Sequence, residues 1–100
     1  MGEWQEIAKI TIFGEETCLS FQKVGERTLI DWYYGYWSAE AKENIEKARK
    51  EVWEWVNKTA AEVLGSGKIV DRDQGHGRNM AEWRLDSAPE YNKSIVWRTD

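Results

Sequence analysis

The chain has 100 residues, 41% of them hydrophobic and 32% charged, with 18 acids against 14 bases and a net charge of −4. That balance fits one globular domain over residues 1–100 and excludes a disordered or low-complexity chain. The negative charge also disfavours direct nucleic-acid binding, where basic residues supply most of the affinity.

Cys18 is the only cysteine, so the chain has no partner for an internal disulfide. No run approaches the roughly 20 apolar residues of a membrane-spanning helix. The opening MGEWQEIAKI is broken by charge, so no secretory leader is expected. These features place the protein in a reducing, cytoplasmic compartment, away from membranes.

The first third reads as strands. In EIAKITIF, Ala8, Ile10 and Ile12 take one side, and Ile7, Lys9, Thr11 and Phe13 the other. Gly14 offers a turn, and TCLSFQKV alternates again, with Leu19 and Phe21 opposite Cys18, Ser20 and Gln22. Gly25 marks a second hairpin into TLIDWYYGYW, a third strand rich in the aromatics that suit a pleated surface.

The middle third predicts one long helix. Ser38 is the expected N-cap, with Glu40 and Glu43 complementing the positive end. Ile45, Ala48, Val52, Val56, Thr59 and Val63 form a stripe at helical spacing, with Trp53 and Trp55 at its two margins. Glu43–Lys47, Glu46–Lys50 and Glu54–Lys58 are spaced as i,i+4 ion pairs, and Gly65 is placed to end the helix.

The last third returns to strands. KIVD is short, and the polar, glycine-rich DRDQGHGRN reads as a loop. MAEWRLD alternates, with Ala81, Trp83 and Leu85 opposite Glu82, Arg84 and Asp86. Pro89 breaks the chain, and SIVWR closes it as a sixth strand. The expected order is βββαβββ: an α+β domain with an antiparallel sheet of five or six strands and the helix packed on one face.

Residues 31–37, DWYYGYW, hold five aromatic rings in seven positions. Alternation puts Ile30, Trp32, Tyr34 and Tyr36 on one face, and Leu29, Asp31, Tyr33 and Trp37 on the other. One helix covers one face, so one aromatic set is expected in the core and the other in solvent. Asp31 makes its face the more polar, so Tyr33 and Trp37 are assigned to the open side, joined by a tryptophan from a neighbouring strand. Such a patch with an acid at its edge suits a protein-binding hot spot, a stacking platform for a sugar or base, or a homodimer contact. A purely structural solvent-facing sheet with cross-strand aromatic pairs is the competing reading.

The segment DRDQGHGRN carries the only histidine, His76, with Asp71, Arg72, Asp73 and Arg78 nearby. Arg72 and Arg78 suit an anion such as phosphate. Asp71, Asp73 and Glu82 fall at the first, third and twelfth places of a calcium loop. That pattern fails because Gly75 stands where the fifth ligand belongs and His76 where glycine is required, so no metal site is assigned. A plain polar hairpin loop is the favoured reading of the segment. A Cys18–His76 dyad is formally possible, but Cys18 alternates with apolar residues and reads as buried. The chain holds no P-loop, GxGxxG, CxxC or HExxH, so neither catalysis nor a cofactor is expected.

The resulting expectation is a small intracellular protein-binding module. It would act as an inhibitor or adaptor by steric occlusion, in the manner of proteins from mobile elements and bacterial conflict systems. Asp31, Tyr33, Trp37, Arg72, Asp73, His76 and Arg78 are the candidate binding residues. A nucleotide- or sugar-binding protein using stacked rings is the alternative, and an enzyme built on the His76 segment is the second alternative.

Overall fold

The computed structural model describes residues 3–33, 39–75 and 78–87. Five antiparallel strands form one sheet: β1 Gln5–Ile12, β2 Glu15–Val24, β3 Arg27–Tyr33, β4 Gly67–Gly75 and β5 Arg78–Leu85. Among the described residues their spatial order is β1-β2-β3-β5-β4, with β5 inside the sheet and β1 and β4 at its edges. A short helix α1, Ala39–Glu43, precedes α2, Ile45–Leu64, which packs on one face. The α+β architecture and its βββ-α-ββ order follow the sequence reading. The expected sixth strand at SIVWR lies outside the described residues, as do Ser38, Tyr34 and Tyr36.

Local chemistry explains the two hairpins. Phe13 and Gly14 both take positive φ, 50° and 78°, between the paired residues Ile12 and Glu15. Two successive positive angles match the type I′ turn, whose twist suits paired strands. Phe13 therefore belongs to the turn and not to β1, and it adopts a conformation that β-carbons resist. In the second hairpin Gly25, with φ 63°, begins the two-residue link to Arg27, where a II′ turn takes glycine.

Helix α2 buries Ala48, Val52, Val56 and Ala60, a strict i,i+4 series. They join Ile12, Leu19, Ile30, Trp32, Ala81 and Trp83 in the core. Two small alanines let the helix approach a sheet that carries two large indoles. Trp32 and Trp83 are 3% and 2% exposed, so the two rings fill the joint. Burying a ring of about 150–250 Å² contributes roughly 4–6 kcal/mol at ~25 cal/mol/Å².

Three helix expectations need correction. The helix is not continuous, because Asn44 leaves helical geometry (φ −116°, ψ 27°) between α1 and α2. Asparagine does this readily, since its side chain competes for backbone partners. The buried stripe runs through Ala60 instead of Thr59 and Val63, and Val63 is 57% exposed. Among the expected ion pairs, Glu46 meets Arg49 at 3.9 Å and i,i+3 spacing, while Lys47 lies 5.9 Å from the Phe13 ring centroid. Trp53 and Trp55 do flank the stripe, one 40% exposed and the other half-buried against the core.

The end of α2 is tied to the sheet. Gly65 has φ 107°, and its N–H donates to the Ala61 carbonyl at 3.1 Å. The Trp83 indole Nε1 donates to the Gly65 carbonyl at 2.9 Å, satisfying one of the carbonyls a helix end leaves open. A Cβ on Gly67 would lie 2.4 Å from the Arg84 carbonyl oxygen, so this crossing requires glycine.

The segment expected to be a loop is largely strand. Residues 71–75 continue β4, with Asp73 opposite Met80, Gln74 opposite Asn79 and Gly75 opposite Arg78. An irregularity between Val70 and Asp73 absorbs the excess, and Asp71 takes φ 51° there. Aspartate tolerates that conformation better than most residues. Charge and bulges are expected at a sheet edge, where they discourage further strand pairing. KIVD is accordingly the start of a nine-residue strand.

Candidate functional site

The sheet presents a second face, opposite α2. Register defines its rows. Ser20, Asp31, Met80 and Asp73 lie side by side across β2, β3, β5 and β4. Tyr33, Arg78 and Gly75 form the next row. Leu29, Glu82 and Val70 form the row on the other side of Asp31.

This face is not uniformly open. Leu29 is 7% exposed and Glu82 is 1% exposed, with the Glu82 Oε1 accepting from Arg84 Nη2 at 3.1 Å. Tyr33, by contrast, is 43% exposed. Accessible positions on this face include the Tyr33–Arg78 row, Asp73 and Lys9. Arg78 Nε donates to Asp31 Oδ2 at 2.8 Å, and its Nη2 donates to the same oxygen. That hydrogen bond, then the charge of Asp31, raises the Arg78 pKa against the opposing effect of desolvation.

The Asp31 side chain is only 13% exposed and paired. It orients Arg78 and does not act as the free acid expected at the patch edge. Trp83 faces α2 and is buried, so it does not supply the tryptophan expected beside Tyr33, while Trp37 and Trp97 lie outside the described residues. Among the described residues the cross-strand neighbour of Tyr33 is Arg78.

Farther along this face, Lys9 is paired in register with Cys18. Cys18 Sγ donates to Glu6 Oε1 at 3.1 Å and lies 3.7 Å from Ser20 Oγ. Lys9 lies 3.6 Å from Glu6 and 3.8 Å from Glu16. Cys18 is half-buried on this face and is not part of the core under α2. Desolvation first, then the Glu6 hydrogen bond and charge, push its thiol above the usual range, while Ser20 and Lys9 pull the other way. A nucleophilic cysteine needs the opposite shift.

The seven candidate residues do not form one group. Asp31, Tyr33, Arg78 and Asp73 share the face opposite α2. Arg72 does not: its Nε and Nη2 donate to Asn79 Oδ1 at 3.0 and 2.8 Å. Its guanidinium lies 5.9 Å from the Trp32 ring and 5.3 Å from the Trp53 ring, on the helix side. Arg72 and Arg78 therefore do not grip one anion together. Trp37 and His76 lie outside the described residues. Among the described residues, no group of three or more His, Cys, Asp or Glu side chains is gathered for a metal ion.

The Arg72 side of the sheet carries a feature the sequence reading missed. Glu46, Arg49, Lys50 and Trp53 of α2 and Arg72 of β4 line an open groove of about 410 Å³. Trp53 meets Trp32 edge-on, with centroids 6.2 Å apart and planes at 65°. The i, i+3, i+4, i+7 spacing of the four helix residues is legible in the sequence. The strand residue that faces them is not, because it depends on the β4 bulge and the strand order.

Compared with protein-family models, curated proteins and solved structures, the chain matches none. Among the described residues no helix is long and apolar enough to cross a membrane.

Proposed function

We propose that the chain is a small protein-binding module that acts as an inhibitor or adaptor, by covering part of a partner protein. The observation that carries this reading is Tyr33, a residue 43% exposed on strand β3, beside Arg78. Tyrosine and arginine are enriched among residues that dominate binding energy. Arg78 is already oriented by Asp31, so less side-chain freedom is lost on contact. The reading is non-enzymatic. A single cysteine and a fold that stands without disulfides support a reducing, cytoplasmic setting.

The test is to recover bound protein from the source cells with the native chain, then to measure affinity for the isolated partner. Tyr33→Ala and Arg78→Ala should each weaken the complex by about 2 kcal/mol or more, with circular dichroism unchanged. A partner bound equally well by both variants rules out this face. Recovery of a second copy of the chain would assign the face to self-association.

A further inference from the structure

We propose that the groove between α2 and β4 binds a mononucleotide, with its phosphate among Arg49, Lys50 and Arg72 and its base against Trp53. The first argument is charge. Three cations and one carboxylate line this groove in a protein whose net charge is −4. The carboxylate, Glu46, has a side chain 91% exposed and stands 3.9 Å from Arg49, so it is solvated and weakly engaged.

The second argument is the way Arg72 is held. Two of its donors converge on the Asn79 amide oxygen, and Asn79 is 4% exposed. The amide oxygen holds the Nε–Nη2 edge of the guanidinium. The guanidinium carbon lies over the Trp32 and Trp53 rings, 5.9 and 5.3 Å from their centroids. A planar cation pinned in this way is suited to an anion that accepts two hydrogen bonds, as phosphate does.

The third argument is the exposed ring. Trp53 is 40% exposed and set edge-on against Trp32, so its plane is fixed before any ligand arrives. A fixed indole beside phosphate-binding cations selects a ligand that is both flat and anionic. The groove offers about 410 Å³ and is open to solvent, so a bound ligand would stay partly exposed. The net negative charge favours a mononucleotide over a polynucleotide, whose binding requires a longer basic track.

This site is on the opposite side of the sheet from Tyr33, so the two proposals fail independently. The experiment is isothermal titration of the full chain with AMP, adenosine, inorganic phosphate and a single-stranded oligonucleotide. AMP is expected to bind with a Kd at or below about 1 mM, and adenosine and phosphate each about tenfold or more weaker. The double variant Arg49→Gln, Lys50→Gln changes two exposed helix residues and should weaken AMP about tenfold or more. Trp53→Leu should reduce AMP to the affinity of phosphate alone. No AMP binding at about 10 mM, or AMP binding unchanged in the double variant, overturns the proposal. Preference for the oligonucleotide overturns the ligand class.

Discussion

Arg78 and Asp31 join β5 to β3 through two donors on one carboxylate oxygen, and the two partners differ in exposure, 51% against 13%. Removing the arginine strands the more buried charge, whereas removing the aspartate strands a solvated one. Arg78→Gln should therefore cost more stability than Asp31→Asn, about 1–2 kcal/mol against about 1 or less. A double-mutant cycle by urea unfolding should give a coupling of about 1 kcal/mol, reduced by the solvent around Arg78. Additive single effects would show that the pair contributes orientation and no stability.

Much of this face was legible because alternation is a local property. Leu29, Asp31 and Tyr33 fall together opposite Ile30 and Trp32, and Ala81, Trp83 and Leu85 fall opposite Glu82 and Arg84, wherever the strands lie. The turns at Gly14 and Gly25 were equally local. DRDQG was misread because polarity was taken as a loop signal, while an edge strand with a bulge is also polar. The neighbours of Arg72 were hidden for a related reason. A positive φ at Asp71 changes which face the next residue joins, and alternation assumes no such step. The role of Asp31 depended on β5 lying beside β3, which no local pattern states.

The joint at the end of α2 predicts two sensitive positions. Trp83→Phe keeps an aromatic ring but removes the donor to the Gly65 carbonyl and part of the buried volume. It should cost about 2–4 kcal/mol, with hydrogen exchange accelerated first in the last turn of α2. Gly67→Ala should be at least as damaging, because the clash at 2.4 Å is with backbone and not a movable side chain. Unfolding in urea measures both. A Gly67→Ala protein as stable as the native chain would mean that β4 and β5 separate here at little cost.

Thr17 predicts a gain. Its side chain is fully buried, and its Oγ1 has no hydrogen-bond partner among the described residues. A buried hydroxyl without a partner carries its desolvation cost uncompensated, on the order of 1–3 kcal/mol. Valine has nearly the same shape and a higher affinity for strands. Thr17→Val should stabilise by about 1 kcal/mol and raise the Tm by about 4–8 °C for a domain this size. A lower Tm would reveal that the hydroxyl is satisfied in solution.

Cys18 predicts a pH dependence. Desolvation and then Glu6 favour the neutral thiol in the folded chain, so its pKa lies above that of the unfolded chain. The stabilisation is fully present below the unfolded thiol pKa and is lost as pH rises through the folded one. Cys18→Ser should flatten the alkaline side of the stability curve accordingly. Iodoacetamide reads the same shift kinetically, because only the thiolate reacts at a useful rate. Alkylation of the folded chain at pH 8 should be slower than that of the urea-unfolded chain. Glu6→Gln removes the charge that opposes the thiolate and weakens the acceptor, so its rate–pH curve should move to lower pH. The rate at pH 8 should then rise by up to about tenfold, the effect of a one-unit shift below the midpoint. A curve unmoved by Glu6→Gln would leave desolvation alone as the source of the shift.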